Sequence, residues 1–213
     1  MVSFLVQDGA LPQAADLTIY KGDTFVFVVR WAANSLTTKA VTAVTKAAPP
    51  SITSATHGLT TGWKAAVASA GGMRELNARH YPPYGSEYHD VTVVDPNTVT
   101  LDGVNSTEYT AFTSGGFLVY KTPKTLTGYS GRLMVRDSAV ATGVPLLSLS
   151  TEIVLDNTAK TITGTIPAAT SAAFTWSSGV YDLEVYTADA VPVVVRLLSG
   201  NVVATDEVTR ADT

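Results

Sequence analysis

The sequence predicts an all-β fold: an antiparallel β-sandwich with one short helix, interrupted by a small inserted β domain. Toward both ends of the chain, β-branched and aromatic residues alternate with polar ones, which is typical of strands with one buried face. The middle of the chain is rich in glycine and contains Pro49-Pro50, which indicates a separate set of short strands and turns. With 213 residues, 46% of them apolar, the chain is long enough to bury a substantial core.

Two strands joined by a tight turn are predicted near the N-terminus. Residues Asp16–Tyr20 alternate, Lys21-Gly22-Asp23 supplies a turn, and Thr24–Trp31 follows as the second strand. We therefore expect a β-hairpin. Its second strand should direct a row of large apolar side chains to one face: Phe25, Phe27, Val29 and Trp31.

The sandwich is predicted to resume in the C-terminal part of the chain. The strand-like segments there are Gly131–Arg136, Leu146–Leu149, Ile153–Leu155, Thr161–Ile166, Tyr181–Val185 and Val193–Val203. Pro167–Phe174 favours one or two helical turns, because proline suits the first position of a helix and alanine has the highest helix propensity. Period-two alternation predicts one shared core made of Phe25, Phe27, Trp31, Leu133, Tyr181 and Leu183.

The intervening segment, residues 40–121, is predicted to be an inserted β domain within a discontinuous sandwich of residues 1–39 and 122–213. Its strand-like segments are Val41–Thr45, Ile52–Ala55, Ala65–Ala68, Val91–Val94, Thr98–Leu101 and Phe117–Tyr120. An insertion of this kind costs little free energy when the chain enters and leaves at neighbouring strand ends, because loop-closure entropy grows only logarithmically with length.

Composition and charge exclude several functional classes. The net charge of −4 and the lack of a basic stripe argue against nucleic-acid binding. The absence of cysteine excludes disulfides, thiol catalysis and cysteine metal sites. The N-terminal residues do not form a secretion signal and no apolar stretch reaches membrane-spanning length, so we expect a protein made in the cytosol without a membrane span.

The apolar residues near Val194 and Leu198 indicate a protein-binding surface. The segment Val193–Leu198 is apolar on both faces except at Arg196, as expected of a strand that is covered on both sides or contacts a partner. Phe4–Val6 is a second apolar stretch, and only 15% of the residues are charged. We therefore expect uncovered hydrophobic surface on the monomer and assembly into a ring or trimer.

Short motifs near both ends of the chain resemble those of a known family. They are Leu17-Thr18-Ile19, Gly22–Phe25, Leu126–Asp137, Ile166–Thr170, Gly179–Glu184 and Arg196–Gly200. Together they resemble the N-terminal domain of the baseplate upper protein group of tailed bacteriophages, over about residues 15–36 and 124–210. The resemblance implies a β-sandwich module that anchors receptor-binding parts to the virion.

The inserted segment resembles a second module that is common in phage tail proteins. The residues that carry this resemblance are His57-Gly58-Leu59, Gly62, Gly72-Met73, Glu75–Asn77, Val91–Asp95, Asn97-Thr98, Leu101–Ser106 and Tyr109–Gly116. That module is sometimes labelled after a domain of ubiquitin-activating enzymes, but a chain without cysteine cannot carry thioester chemistry. Residues 80–89 form a loop beyond the module's usual pattern, so its function does not follow from the resemblance.

Residues 80–89 also hold most of the candidate chemistry. His80 and His89, with Asp90, can be interpreted as a metal site or an acid–base pair, or as ordinary surface residues of a proline-containing loop. We favour the surface interpretation because their spacing fits no helical histidine motif. His57, before Gly58, is expected to be a turn residue whose imidazole binds nearby backbone.

The same loop carries three tyrosines that are candidate partner-binding residues. Tyr81, Tyr84 and Tyr88 can form a patch for sugar or protein, or can pack on their own domain. Asp182 and Glu184 share a strand face, and we expect them to be ordinary exposed charges rather than a catalytic pair.

Three functions are compatible with these features, and the preferred one is a structural subunit of a tailed-phage virion. Such a tail, baseplate or head-to-tail accessory protein would bind other tail, baseplate or neck proteins. The alternative is an adhesin-like module that binds a host-surface glycan receptor through the inserted tyrosines. A glycan hydrolase is the least favoured, because the sequence contains no convergent acid–base set. We expect no enzymatic activity, no catalytic or metal-binding residues and no cofactor.

Overall fold

A computed structural model describes residues 1–9 and 11–206, which form an all-β structure with one short α-helix, as the sequence predicted. The strands, in chain order, are β1 (Val2–Gln7), β2 (Gln13–Ala14), β3 (Leu17–Tyr20), β4 (Phe25–Ala40), β5 (Ala43–Val44), β6 (Ser51–Thr53), β7 (Trp63–Ala68), β8 (His89–Asp95), β9 (Thr98–Leu101), β10 (Phe117–Pro123), β11 (Tyr129–Arg136), β12 (Leu147–Leu149), β13 (Ile153–Asp156), β14 (Thr161–Ile166), β15 (Ser178–Thr187) and β16 (Val194–Thr205). The helix α1 is Ala168–Ala172, and single 3-10 turns lie at Arg74–Leu76 and Gly85–Glu87.

The chain divides into two compact units. The first contains Met1–Ala32 and the described residues from Lys124 onward, and the second is Ala33–Pro123. The composition of the sequence changes at residues 40 and 121, which predicts the boundaries there. The difference has a simple cause: β4 continues without a break through Ala40, so the change of unit occurs inside a strand and leaves no turn signal.

The first unit is a sandwich of two sheets. In the first sheet the order is β13, β14, β4 and β1, with β14 antiparallel to both β13 and β4. In the second sheet the order is β12, β11, β15 and β16, and the short strands β2 and β3 lie parallel to β16. Alternating side chains from both sheets meet in between, which is how a sandwich buries its core.

The predicted core is confirmed. Five of the six residues expected to share it are buried together: Phe27, Trp31, Leu133, Tyr181 and Leu183. The sixth, Phe25, is partly buried and packs against the same cluster. Each such side chain contributes roughly 1.5–3 kcal/mol when fully buried, so this cluster is the main source of the unit's stability.

The predicted hairpin of residues 16–31 is wrong, because β3 and β4 lie in different sheets. Strand β3 lies beside β16, whereas β4 lies beside β14 and β1. The turn between them crosses the sandwich, and α1 fixes it: the Gly22 N–H donates to Ser171 Oγ at 3.1 Å, and that hydroxyl donates to the Asp23 carbonyl at 2.8 Å. Turn residues reveal a change of direction, but they do not reveal whether the two strands pair or face each other.

A β-bulge in β16 corrects the interpretation of Val193–Leu198. Leu183 pairs with Leu198 but the next residue, Glu184, pairs with Arg196, so Leu197 has no opposite partner. Leu197 and Leu198 consequently both face the core, and each is 1% exposed. The outer face of this part of the strand therefore carries Val194 and Arg196 but neither leucine. Leu198, expected to contact a partner, is a core residue instead.

The N-terminal apolar stretch is also covered in the structure. Residues Val2–Gln7 form β1, which pairs in parallel with Phe27–Ala32 of β4. Val6 is a core residue, Phe4 packs against the core and Leu5 is half-buried. The expectation that Phe4–Val6 leaves hydrophobic surface open was wrong, because parallel pairing with a distant strand has no local sequence signal.

The second unit is built on one sheet of its own strands. The order is the C-terminal part of β4, then β10, β7, β8, β9, β6 and β5. Its fully buried large side chains are Ile52, Trp63, Met73, Leu101 and Leu118. The Trp63 indole N–H donates to the Lys121 carbonyl at 2.9 Å, so this large residue is buried with its polar atom satisfied.

Candidate functional site

The loop of residues 80–89 exposes two of its three tyrosines. Tyr81 is 67% exposed and Tyr84 is 60% exposed. Tyr88 is half-buried, and its hydroxyl is enclosed without a hydrogen-bond partner among the described residues. Burial raises the pKa of Tyr88, with further contributions from Glu87 and Tyr81. An open aromatic surface therefore consists of Tyr81 and Tyr84, and Tyr88 packs on its own unit.

The Glu87 carboxylate holds this loop in shape. It accepts hydrogen bonds from the Arg79 N–H at 2.6 Å and from the Tyr84 N–H at 2.7 Å. The bond from Tyr84, followed by that from Arg79, lowers the pKa of Glu87 because both donors favour the charged form. His80 Nδ1 lies 3.2 Å from Glu87 Oε1, and the His80 ring stacks on the Tyr84 ring with their centroids 3.7 Å apart. The loop thus presents a stacked His80–Tyr84 pair on a fixed backbone.

The three histidines have different roles in the structure. His57 is buried at 2% exposure, and its Nδ1 accepts from the Leu59 N–H at 3.0 Å, so Nε2 carries the proton and donates to the Asp95 carbonyl at 2.9 Å. The prediction that His57 is a turn residue bonded to backbone is confirmed. His80 and His89 line one shallow concavity of the second unit, and burial lowers the pKa of His89.

The largest concavity described lies in the first unit, on the outer face of the second sheet. Pairing of β11, β15 and β16 places Arg132, Glu184 and Arg196 in one row across the sheet. Arg136 and Asp182 lie on the same face, and a groove of about 570 Å³ is lined by all five charged residues. We call this groove, defined by Arg132, Arg136, Asp182, Glu184 and Arg196, the arginine trough.

The charges in the arginine trough form a connected network. Arg132 donates to Glu184 Oε2 through Nε at 2.9 Å and Nη2 at 2.7 Å. Arg196 Nε lies 3.2 Å from Asp182 Oδ2, and Arg196 Nη2 donates to Glu184 Oε1 at 3.4 Å. Burial raises the pKa of Asp182, and Arg196 opposes this rise while Glu184 adds to it. Asp182 and Glu184 are therefore both ion-paired with arginines of the same face.

One wall of the arginine trough is a loop that Arg136 holds in place. Arg136 Nη1 donates to the carbonyl of Ala141 at 3.2 Å and to that of Gly143 at 2.5 Å. Ser138 and Ala139 of the same loop line the groove. The groove is therefore shaped by a side chain that also contributes to its charge.

Exposed valines lie next to the arginine trough. Val194 is 47% exposed, and the preceding Val191 and Val193 are 84% and 53% exposed. Val194 pairs with Tyr186, and this pair lies on the same face as the pair Glu184 and Arg196, two residues further along the strands. Of the two residues predicted to contact a partner from β16, only Val194 is available at the surface.

The sequence does not identify the arginines as a group. Alternation in Gly131–Arg136 already placed Arg132 and Arg136 on one face, and alternation in Tyr181–Val185 placed Asp182 and Glu184 on another. Only the pairing of β11 with β15, which matches Arg132 with Glu184, brings these faces together. No local pattern specifies which strands of a sheet are neighbours.

Among the described residues, no group of three or more histidine, aspartate or glutamate side chains is placed to hold a metal ion. In the same part of the chain, no helix is both long and apolar enough to cross a membrane. No protein-family model and no curated protein matches this chain.

Proposed function

We propose that the chain is a structural component of a tailed-phage virion: a tail, baseplate or head-to-tail accessory subunit. The protein is made in the host cytoplasm, joins the particle as a ring or trimer, and anchors fibres or receptor-binding proteins to tail, baseplate or neck proteins. The motifs near both chain ends and those of the inserted segment support this proposal by their resemblance to two phage modules.

The observation that carries the proposal is the run of exposed valines beside β16. Val191 and Val193, which precede β16, and Val194, its first residue, are all more than 45% exposed. Adjacent exposed apolar side chains of this kind mark protein–protein contact sites more often than isolated ones do. Contact with another virion protein would cover these valines, and a closed ring or trimer of the chain would place several such contact sites around one axis.

Incorporation into particles tests the proposal. Mass spectrometry of purified phage particles should detect the wild-type chain at a fixed copy number. Val194→Lys should reduce its incorporation strongly, because a lysine would be buried without a partner in the contact. Val203→Lys is the matched control, since Val203 lies in the same strand with nearly equal exposure, 46% against 47%. Absence of the wild-type chain from particles, or equal incorporation of both variants, would contradict the proposal.

Exposed aromatic residues favour one alternative, an adhesin-like module that binds host-surface glycan through the second unit. Tyr81 and Tyr84 present open rings, and Glu87 fixes the backbone that carries them. Rigid aromatic surfaces bind sugars and proteins at low entropic cost.

A glycan array and a whole-cell binding assay test the alternative. The double variant Tyr81→Ser and Tyr84→Ser should lose binding, whereas Tyr20→Ser, an exposed tyrosine of the first unit at 54% exposure, should not. Binding that survives the double variant would exclude this loop as the receptor site.

A further inference from the structure

We propose that the arginine trough binds an extended peptide segment of a partner protein, with an acidic side chain and an apolar side chain two residues apart. This inference goes beyond the virion role, because it concerns what the outer face of the second sheet recognises and can be tested on the isolated protein. It rests on the charge balance of the trough and on the spacing between its rows.

The charge balance of the trough favours an incoming anion. Three arginines face two carboxylates there, in a chain whose net charge is −4. The Glu184 side chain is only 16% exposed and that of Asp182 is 40% exposed, whereas those of Arg132 and Arg196 are 40% and 49% exposed. The accessible part of the network therefore contains two guanidinium groups and one carboxylate, which leaves an excess of positive charge.

The arginines also retain unused hydrogen-bond donors. Nη1 of Arg132 and Nη1 of Arg196 make no hydrogen bond with any other described residue. A planar guanidinium whose remaining donors are open binds carboxylate more strongly and more directionally than a lysine does. An acidic side chain of a partner is the simplest group that meets these donors and neutralises the excess charge.

An apolar surface lies at the right distance from the arginines. The row of Tyr186 and Val194 is two residues along the strands from the row of Glu184 and Arg196, which corresponds to about 7 Å. The Arg132 guanidinium lies over the Tyr186 ring, 5.1 Å from its centroid, and links the two rows. In an extended peptide, side chains two residues apart share one face with the same spacing. A peptide with an acidic residue and an apolar residue at that separation therefore matches both rows.

The lining of the trough favours a peptide over a glycan. Tyr181 is the aromatic residue in the lining of the trough as described, and it is 3% exposed with its hydroxyl donating to the Ala15 carbonyl at 2.7 Å. Tyr186, in the adjacent row, is half-buried and has the Arg132 guanidinium over its ring, so neither tyrosine presents a fully open face on which a sugar could stack. The wall formed by Ser138 and Ala139 limits the groove on one side, as suits a narrow extended chain.

Nuclear magnetic resonance titration of the isolated full-length protein tests the inference. The probe is the capped peptide Ser-Asp-Ser-Val-Ser, and its partner is the same peptide with Asn in place of Asp. We expect saturable amide shifts in β11, β15 and β16 with the acidic peptide. The Asn peptide should bind at least about tenfold more weakly, because it lacks the charge-assisted hydrogen bonds.

Three variants locate the site. Arg196→Gln should weaken binding of the acidic peptide by roughly tenfold, because it removes a guanidinium that is half exposed in the trough. Arg74→Gln, an exposed arginine of the second unit, should leave binding unchanged. Val194→Thr should weaken binding several-fold for both peptides, because it removes apolar contact without changing charge.

Three results would overturn the inference: no shifts in these strands, equal binding of the Asp and Asn peptides, or unchanged binding by Arg196→Gln. An oligogalacturonate that shifts these amides when the peptide does not would identify the trough as a glycan site and would likewise overturn it. None of these results depends on particle incorporation, so the virion proposal and this inference can fail separately.

Discussion

A glycine beneath an aromatic ring provides a sharp test of the sandwich core. Gly164 of β14 pairs directly with Phe27 of β4. A Cβ added at Gly164 would lie 2.1 Å from Cζ and 2.3 Å from Cε1 of the Phe27 ring. Phe27 is 1% exposed, so the ring has no open space into which it can turn. The sequence therefore requires glycine at this position because the ring occupies the place of a side chain.

The expected effect of Gly164→Ala follows from these distances. Overpacking a closed core costs roughly 1–3 kcal/mol, since the ring or the strand must shift. Alanine would also lower the conformational entropy of the unfolded chain, which stabilises the folded state by only about 0.4–1 kcal/mol. We expect a net loss of about 1–2 kcal/mol in the free energy of unfolding, or a Tm lower by roughly 3–10 °C for a unit of this size.

Urea unfolding followed by tryptophan fluorescence and circular dichroism measures this loss. Gly143→Ala is the control, because a Cβ there would meet no atom within 4 Å. In the Phe27→Leu background the cost of Gly164→Ala should fall by about 1 kcal/mol or more, since the two residues are in contact. An unchanged midpoint for Gly164→Ala would refute the pairing of β14 with β4.

Three further predictions concern other parts of the molecule. Replacing residues 33–123 with a short Gly/Ser linker should leave a first unit that unfolds cooperatively, and a product without β-type circular dichroism would refute it. The carboxyl pKa of Asp182 should lie above its usual range and rise further in Arg196→Gln, as measured by carbon-13 titration, because Arg196 opposes the effect of burial. The stability that protonated Asp182 contributes is present at acid pH and is lost as the pH rises through this pKa. Glu87→Gln should lower the protection factor of the Tyr84 amide, which is the intrinsic exchange rate divided by the observed rate at the same pH, and so should lowering the pH through the depressed pKa of Glu87; unchanged protection factors in both cases would show that this carboxylate does not hold the loop.

The sequence was sufficient for the fold class, most strand positions and the core. Phe27, Trp31, Leu133 and Leu183 lie where alternation placed them, because a side chain's face within a strand is a local property. The hairpin of β3 and β4 and the position of Leu198 could not be predicted in the same way. They depend on which strands pair and on a bulge, and both are set by packing between distant segments.

The candidate surfaces also combine features that are local in the sequence with features that depend on distant segments. Exposure of Tyr81 and Tyr84 agrees with a polar, proline-containing loop, whereas Tyr88 turns inward for reasons of packing. The arginine trough requires the neighbour relations of β11, β15 and β16, so its residues looked like ordinary surface charges in the sequence.

The bulge in β16 also bears on how this chain tolerates changes in length. Removing Leu197 would leave Arg196 opposite Glu184 and Leu198 opposite Leu183, which is the regular alternation of an antiparallel ladder. Loss of one residue elsewhere in the strand would instead turn all following side chains to the wrong face. A single-codon deletion at this position therefore costs one buried leucine and spares the pairing on either side. At the bulge, unlike elsewhere in β16, the strand can lose one residue without a change of register.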